Sequence, residues 1–139
     1  MNDKNTKYLL ENFPELYKGF YMSYKDTAMC WGFECGNGWF ELIKNLSEEL
    51  YAYTERTGAR LPEVTQVKEK YGTLRYYIMH GTEEQYKIID KWCDLSETTC
   101  EETGKPGKLR VKWGWYKTLS DEIAKELGYQ NVEEEKEME

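Results

Sequence analysis

The chain has 139 residues and a mass of 16.6 kDa, the size of one domain with a single hydrophobic core. Hydrophobic residues make up 40% of the sequence and aromatic residues 15%, which excludes an intrinsically disordered chain. The formal net charge of −7 excludes a strongly basic nucleic-acid-binding domain as a description of the whole molecule.

Two elements are predicted at the start of the chain. A short helix is expected over Thr6–Phe13, where apolar side chains share one face and Pro14 opposes continuation. Met29–Cys35 has the pattern of an extended segment that ends in the loop Gly36–Gly38, whose residue types suit positive φ angles. The side chains expected to share one face of the extended segment are Trp31, Phe33 and Cys35.

The middle of the chain predicts two long helices around a hairpin. Hydrophobic side chains recur at three- and four-residue steps over Trp39–Glu55, which indicates an amphipathic helix. Val64–Met79 alternates as an antiparallel hairpin does, with its turn at Tyr71–Gly72. Thr82 is typical of an N-cap, and a second long helix is predicted from there to about Thr103.

The last elements are a strand and a helix. Lys108–Trp113 alternates strictly, so we expect three cations on one face of a strand and three hydrophobic side chains on the other. The hydrophobic set is Leu109, Val111 and Trp113. A helix over Ser120–Leu127 is expected to stop at Gly128.

These elements predict one α+β domain over residues 1–130. Its small antiparallel sheet, a hairpin plus additional strands, is expected to pack against two long amphipathic helices. Residues 131–139 hold five glutamates and one lysine and are predicted to form a disordered acidic tail.

Membrane insertion and export are not expected. No segment approaches the roughly 18 consecutive apolar residues of a spanning helix, and the start of the chain lacks the apolar run of a signal peptide. The four cysteines are too few and too unevenly spaced for a secreted disulfide scaffold, so we expect reduced thiols in a cytoplasm. The cysteines are Cys30, Cys35, Cys93 and Cys100.

The sequence predicts no enzyme and no cofactor. His80 is the only histidine, and no serine or cysteine nucleophile lies near it in a recognisable turn. The glycines near residue 36 lack the following Lys and Ser/Thr of a phosphate-binding loop.

Three segments carry a resemblance to a known family. Met29–Phe40, Gln66–Tyr77 and Thr99–Gly107 resemble a family of small proteins of phages and prophage-bearing bacteria, and the match spans about residues 8–120. The family has no established common activity, so the resemblance implies a mobile-element context. Small phage proteins of this size often inhibit host defences, which points to an anti-CRISPR-type inhibitor.

The family pattern near Thr99–Gly107 resembles a zinc ribbon, in which cysteine knuckles hold one tetrahedral ion. Here Cys100 is present, but Thr103 and Ser120 occupy expected ligand positions and Ile123 cannot ligate. The resemblance therefore implies a degenerate knuckle, and we predict no metal site. The other three cysteines lack the paired spacing that would replace the missing ligands.

Two surfaces are candidates for binding. Four carboxylates recur at helical spacing on the second long helix, as a stripe that suits a basic groove or is simply a solvated helix face. These are Asp90, Asp94, Glu97 and Glu101. The alternative surface is the basic strand with interleaved aromatics, which suits single-stranded nucleic acid unless the aromatics are core residues and the cations pair with the acidic helix. Its main residues are Lys108, Arg110, Lys112 and Trp115.

The sequence therefore predicts a non-catalytic, cytoplasmic inhibitor that acts in a bacterial host cell. Its expected partner is a nucleic-acid-handling defence protein, such as a Cas nuclease with Cas9 as one candidate, bound through acidic and aromatic surface. The alternative is a nucleic-acid-binding module derived from a zinc-ribbon protein and using the basic strand.

Overall fold

The computed structural model describes residues 1–132, which form four α-helices and six β-strands. The helices are α1 (Asp3–Asn12), α2 (Phe40–Thr57), α3 (Glu83–Ser96) and α4 (Asp121–Leu127). The strands are β1 (Phe33–Glu34), β2 (Glu63–Lys70), β3 (Thr73–Met79), β4 (Lys108–Lys112), β5 (Trp115–Leu119) and β6 (Gln130–Asn131). Among these residues no helix is long and apolar enough to cross a membrane.

The α+β class is confirmed, but the strands form two sheets instead of one. The first sheet has the order β1-β2-β3, with β1 parallel to β2 and the β2–β3 pair forming the predicted antiparallel hairpin. The second sheet has the order β5-β4-β6 and is antiparallel throughout. The two longest helices, α2 and α3, match the predicted long helices only in part, because α3 ends at Ser96.

The main hydrophobic core lies around α2, as its periodicity predicts. Trp39 at the helix start and Ile43, Leu46 and Leu50 along it are fully buried. They pack in one cluster with residues of α1, β2 and β3. Full burial of a large aliphatic or aromatic side chain contributes about 1.5–3 kcal/mol, so this helix face holds the first sheet in place.

The second long helix begins as predicted and ends seven residues early. The Thr82 hydroxyl accepts from the Gln85 N–H while the Gln85 side chain accepts from the Thr82 N–H, a complete capping box. After Ser96 the chain leaves the helix because Thr99 pairs with Pro106 and the Cys100 carbonyl accepts from Gly104 N–H. The turn over Thr99–Pro106, which we call the knuckle turn, therefore replaces the last two turns of the predicted helix.

The prediction that Met29–Cys35 is extended is largely wrong. Ala28–Trp31 forms a 3-10 helix capped by Thr27, whose hydroxyl accepts from the Met29 N–H at 3.1 Å. Gly32, at φ +76°, then turns the chain into the short strand β1. Trp31 is consequently 64% exposed, whereas Phe33 and Cys35 are buried.

The burial pattern of β4 also differs from the simple alternation. Arg110 is only 6% exposed, while Leu109 and Trp113 from the predicted buried face are exposed. The reason is a set of specific partners: the Arg110 guanidinium donates to the Leu119 carbonyl at 3.1 Å, to Asn131 at 2.7 Å and to Asp121 at 2.6 Å. Each of the three guanidinium nitrogens of Arg110 has a hydrogen-bond partner, and these bonds outweigh the average preference of arginine for the surface.

The predicted tail begins at residue 131, but this boundary falls inside β6. Asn131 lies in β6, pairs with Arg110 in register and accepts from its guanidinium. The domain therefore extends beyond residue 130. The remaining part of the predicted tail, residues 133–139, lies outside the described residues.

The two sheets are joined where the loop before α2 meets the knuckle turn. The Gly36 N–H donates to the Glu101 side chain at 2.9 Å, and the Gly38 N–H donates to the Glu101 carbonyl at 2.7 Å. Trp39 adds an indole N–H bond of 2.8 Å to the Thr99 carbonyl. Gly36 has φ −77°, so close approach rather than positive φ requires glycine in this loop.

Replacing Gly38 by Ala is expected to destabilise the fold by about 3 kcal/mol or more. A Cβ at Gly38 would lie 2.2 Å from the Cys100 carbonyl oxygen, which is backbone and cannot rotate away. Gly58→Ala is the control, because Gly58 has φ +76° but no atom within 4 Å of an added Cβ. Urea unfolding should show that the control loses about 1 kcal/mol of unfolding free energy. Equal losses in the two variants would contradict the close approach of the loop and the knuckle turn.

Candidate partner-binding surfaces

Three of the four predicted stripe carboxylates lie together on one face. Asp90 and Asp94 project from α3, and Glu97 follows directly after its last residue. All three are exposed and line a groove between α3 and β3. Exposed Tyr77 and Tyr86 line the same groove. We call these five residues the acidic face.

Glu101 does not belong to the acidic face, so this part of the predicted stripe is wrong. It lies beyond the end of α3, is 3% exposed and bonds the Gly36 N–H. Its other carboxylate oxygen lies 3.7 Å from the Lys117 ammonium, an ion pair beyond hydrogen-bond distance. Helical spacing does not bring Glu101 onto the stripe because the helix has already ended.

The carboxylates of the groove affect the Cys93 thiol beside them. Burial first, and then the charges of Asp90 and Asp94, raise the pKa of the Cys93 thiol to about 12. Arg75 acts in the opposite direction on the same thiol. Within residues 1–132 no salt bridge holds Asp90, Asp94 or Glu97, so their charges are available to a partner.

The edge of β3 beside the groove is partly closed to strand pairing. The Leu74 N–H donates to the Ser96 hydroxyl at 2.8 Å, and the backbone of Tyr76 hydrogen-bonds the Cys93 thiol. An extended peptide cannot add to this part of the edge, because its outward N–H groups already have partners from α3. A partner that binds the acidic face therefore contacts its side chains and does not add a strand to β3.

The predicted basic strand is mostly engaged within the fold. Arg110 is buried among its three partners, and it lowers the pKa of Asp121 by hydrogen bonding and by its charge. Lys112 donates to the Leu127 carbonyl at 2.7 Å, at the end of α4. Lys108 is exposed and Trp115 is 73% exposed, so the structure does not join the four predicted residues into one surface.

Sequence reasoning missed an exposed aromatic group at the ends of the two hairpins. Trp113 was expected in the core but is 87% exposed, and Tyr71 in the other hairpin turn is 65% exposed. The available signal was a repeated pattern of lysine, aromatic residue and glycine at Lys70–Gly72 and Lys112–Gly114.

The residues at the predicted knuckle positions lie near Cys100. The Thr103 side chain and the backbone of Ser120 hydrogen-bond the Cys100 thiol, and Ile123 packs on the small cluster that contains Cys100. Burial raises the pKa of this thiol, but the hydrogen bonds outweigh burial and lower the pKa below its usual value. In the described part of the chain no group of three His, Cys, Asp or Glu residues is placed to hold a metal ion.

His80 lies at the exposed end of β3. Its φ is 63°, and its charge lowers the pKa of Glu63, after the larger effects of the Lys18 hydrogen bond and charge. Among residues 1–132 no side-chain hydrogen bond orients the imidazole. The surroundings of His80 offer no arrangement for nucleophilic catalysis.

No protein-family model, curated protein or solved structure matches this chain. The resemblance to small phage proteins therefore stays a prediction.

Glu101→Gln should change how stability depends on pH. Burial raises the pKa of Glu101, against the opposing effects of Lys117 and the Gly36 N–H. Because the folded state then holds the proton more tightly than the unfolded state, wild type gains stability below the unfolded pKa and loses it as pH rises through the folded pKa. Wild-type stability minus that of Glu101→Gln should be larger at about pH 4 than at about pH 7. A pH-independent difference in urea unfolding would contradict this assignment.

Introducing three cysteines near Cys100 should create a zinc site. Thr103→Cys, Ser120→Cys and Ile123→Cys would add three thiols around Cys100: Thr103 and Ser120 hydrogen-bond its thiol, and Ile123 packs on the cluster that contains it. We expect the triple variant to hold one zinc ion and to melt at a lower temperature after chelation. Loss of the Ser120 N-cap costs about 1 kcal/mol, and Ser120→Ala controls for it. No zinc in a folded triple variant would contradict the knuckle geometry.

Proposed function

We propose that this protein is a non-catalytic inhibitor of phage or prophage type. It binds a bacterial nucleic-acid-handling defence protein, such as a Cas nuclease, and occupies the basic surface that the nuclease offers to nucleic acid. The observation that supports this proposal is the acidic face, with three exposed carboxylates and two exposed tyrosines around one groove.

The carboxylates are arranged to contact several cations at once. Asp90 and Asp94 are four positions apart on α3, which is a rise of about 6 Å along the helix. Glu97 extends the row beyond the helix end. Arginine forks recognise carboxylates and phosphates by the same paired hydrogen bonds. A row of carboxylates therefore offers a nuclease groove the contacts that a nucleic-acid backbone offers.

The tyrosines supply the apolar part of the contact. Tyr77 and Tyr86 are each almost half exposed beside the carboxylates. Tyrosine is enriched among the residues that carry most of the binding free energy at protein interfaces. Charge alone would give a fast but non-selective encounter, whereas aromatic side chains at the groove add specific contact area.

Cas9 is the first partner to test. Its guide–target heteroduplex lies in a positively charged channel, and it acts in the cytoplasm of a bacterial host. Because Cas9 acts in the cytoplasm, the proposed inhibitor acts there too.

A nucleic-acid module built on the predicted basic strand is less well supported. Arg110 is buried and held by Asp121 and Asn131, and Lys112 is engaged with α4. Only Lys108 and Trp115 of the predicted set are free to meet a ligand in the described part of the chain.

Charge reversal on the acidic face should weaken inhibition without unfolding the protein. Asp94→Lys with Glu97→Lys is expected to reduce inhibition of guide-loaded Cas9 at least about tenfold, while exposed substitutions change stability by about 0.5 kcal/mol or less. The readouts are cleavage of target DNA and the melting temperature of the variant.

The matched control is Glu55→Lys with Glu126→Lys, which makes the same change in net charge at exposed positions on α2 and α4. This control should inhibit as wild type does. Equal inhibition by wild type and the acidic-face variant would refute the role of the acidic face. Association with Cas9 should also slow as salt rises, because exposed charges are screened beyond about 8 Å at physiological ionic strength.

A further inference from the structure

The two hairpins end in turns of the same composition. Lys70–Gly72 joins β2 to β3, and Lys112–Gly114 joins β4 to β5. In both turns the aromatic residue and the glycine have positive φ: 53° and 81° in the first, 51° and 81° in the second. Positive φ at both central residues is the feature of a type I′ turn.

An aromatic residue is unfavourable at the first of these positions. Asn, Asp and Gly are the residues that type I′ turns prefer there, because bulky side chains strain the left-handed conformation. The rings of Tyr71 and Trp113 are also largely exposed, so burial in the core does not compensate for the strain. Such strain at an exposed position is an observed outlier that points to function.

The two turns form one surface. The Tyr71 and Tyr116 ring centroids are 6.3 Å apart, and Trp113 and Trp115 complete a groove of about 520 Å³ between the hairpins. The Thr118 hydroxyl donates to the Gly72 carbonyl at 2.6 Å, which fixes one hairpin against the other. We call Tyr71, Trp113, Trp115 and Tyr116 the aromatic platform.

Positive charge lies on this platform. The Lys70 ammonium is 5.7 Å from the centre of the Tyr71 ring, and the Lys112 ammonium is 5.0 Å from the centre of the Trp113 ring. The carboxylate of Glu69, the acidic residue of the groove, accepts a hydrogen bond from the Gly72 N–H at 2.8 Å. Within residues 1–132 no salt bridge neutralises Lys70.

We propose that the aromatic platform binds single-stranded nucleic acid. Exposed rings offer stacking faces to unpaired bases, and the Lys70 ammonium, which lines the groove, attracts the phosphates between them. Duplex DNA hides its base faces in the stack, so it cannot use these rings in the same way. This activity does not depend on the acidic face and goes beyond the proposed inhibition of a defence protein.

The test replaces both strained aromatics by the residue that the turn prefers. Tyr71→Asn with Trp113→Asn gives two Asn-Gly turns, so the fold should be as stable as wild type or more stable. Binding of a labelled oligothymidine of about 20 nucleotides at about 50 mM salt, followed by fluorescence anisotropy, should weaken at least about tenfold in this variant. Quenching of tryptophan fluorescence by the oligonucleotide should fall with it.

Trp31→Ala is the control, since Trp31 is an exposed tryptophan outside the platform. It should bind the oligonucleotide as wild type does, and so should the acidic-face variant Asp94→Lys with Glu97→Lys. The proposal is overturned if wild type does not bind the oligonucleotide, if a duplex of equal length binds as tightly, or if the Asn-Gly variant retains wild-type affinity. Failure of Cas9 inhibition would leave this result unchanged, so the two proposals fail separately.

Discussion

The structure depends on the contact of Glu101 with the loop before α2. Through its carboxylate and its carbonyl, one residue accepts hydrogen bonds from Gly36 and Gly38, and its N–H donates to the Thr118 carbonyl of β5. The second sheet is thereby fixed on the first, at a distance that leaves no room for a side chain at either glycine. A buried carboxylate costs free energy on desolvation, and the hydrogen bonds and nearby Lys117 offset only part of that cost.

The fold presents two surfaces of different chemistry. The acidic face lies beside β3 at the end of α3, and the hydrogen bond from Thr118 to the Gly72 carbonyl holds the two hairpin turns next to each other. The chain carries a net charge of −7, yet lysines lie at the aromatic platform and carboxylates at the acidic face. Net charge alone therefore describes neither surface.

Local sequence signals predicted the elements that local physics determines. The apolar period of α2, the Thr82 cap and the Tyr71–Gly72 turn are all present in the structure. The errors occur where a distant partner decides: Arg110 is buried because Asp121 and Asn131 satisfy its guanidinium. Three acidic-face carboxylates followed from helical spacing, whereas the position of Glu101 depends on a loop 65 residues away. No single-sequence pattern contains that contact.

The central claim, that the protein occupies a nucleic-acid groove, is tested most directly by competition. Guide-loaded Cas9 is incubated first with target DNA and then with the protein, and in the opposite order, and complexes are separated by size. The account predicts mutual exclusion: Cas9 that holds target DNA does not bind the protein, and Cas9 that holds the protein does not bind target DNA. A stable ternary complex of Cas9, target DNA and the protein would contradict it.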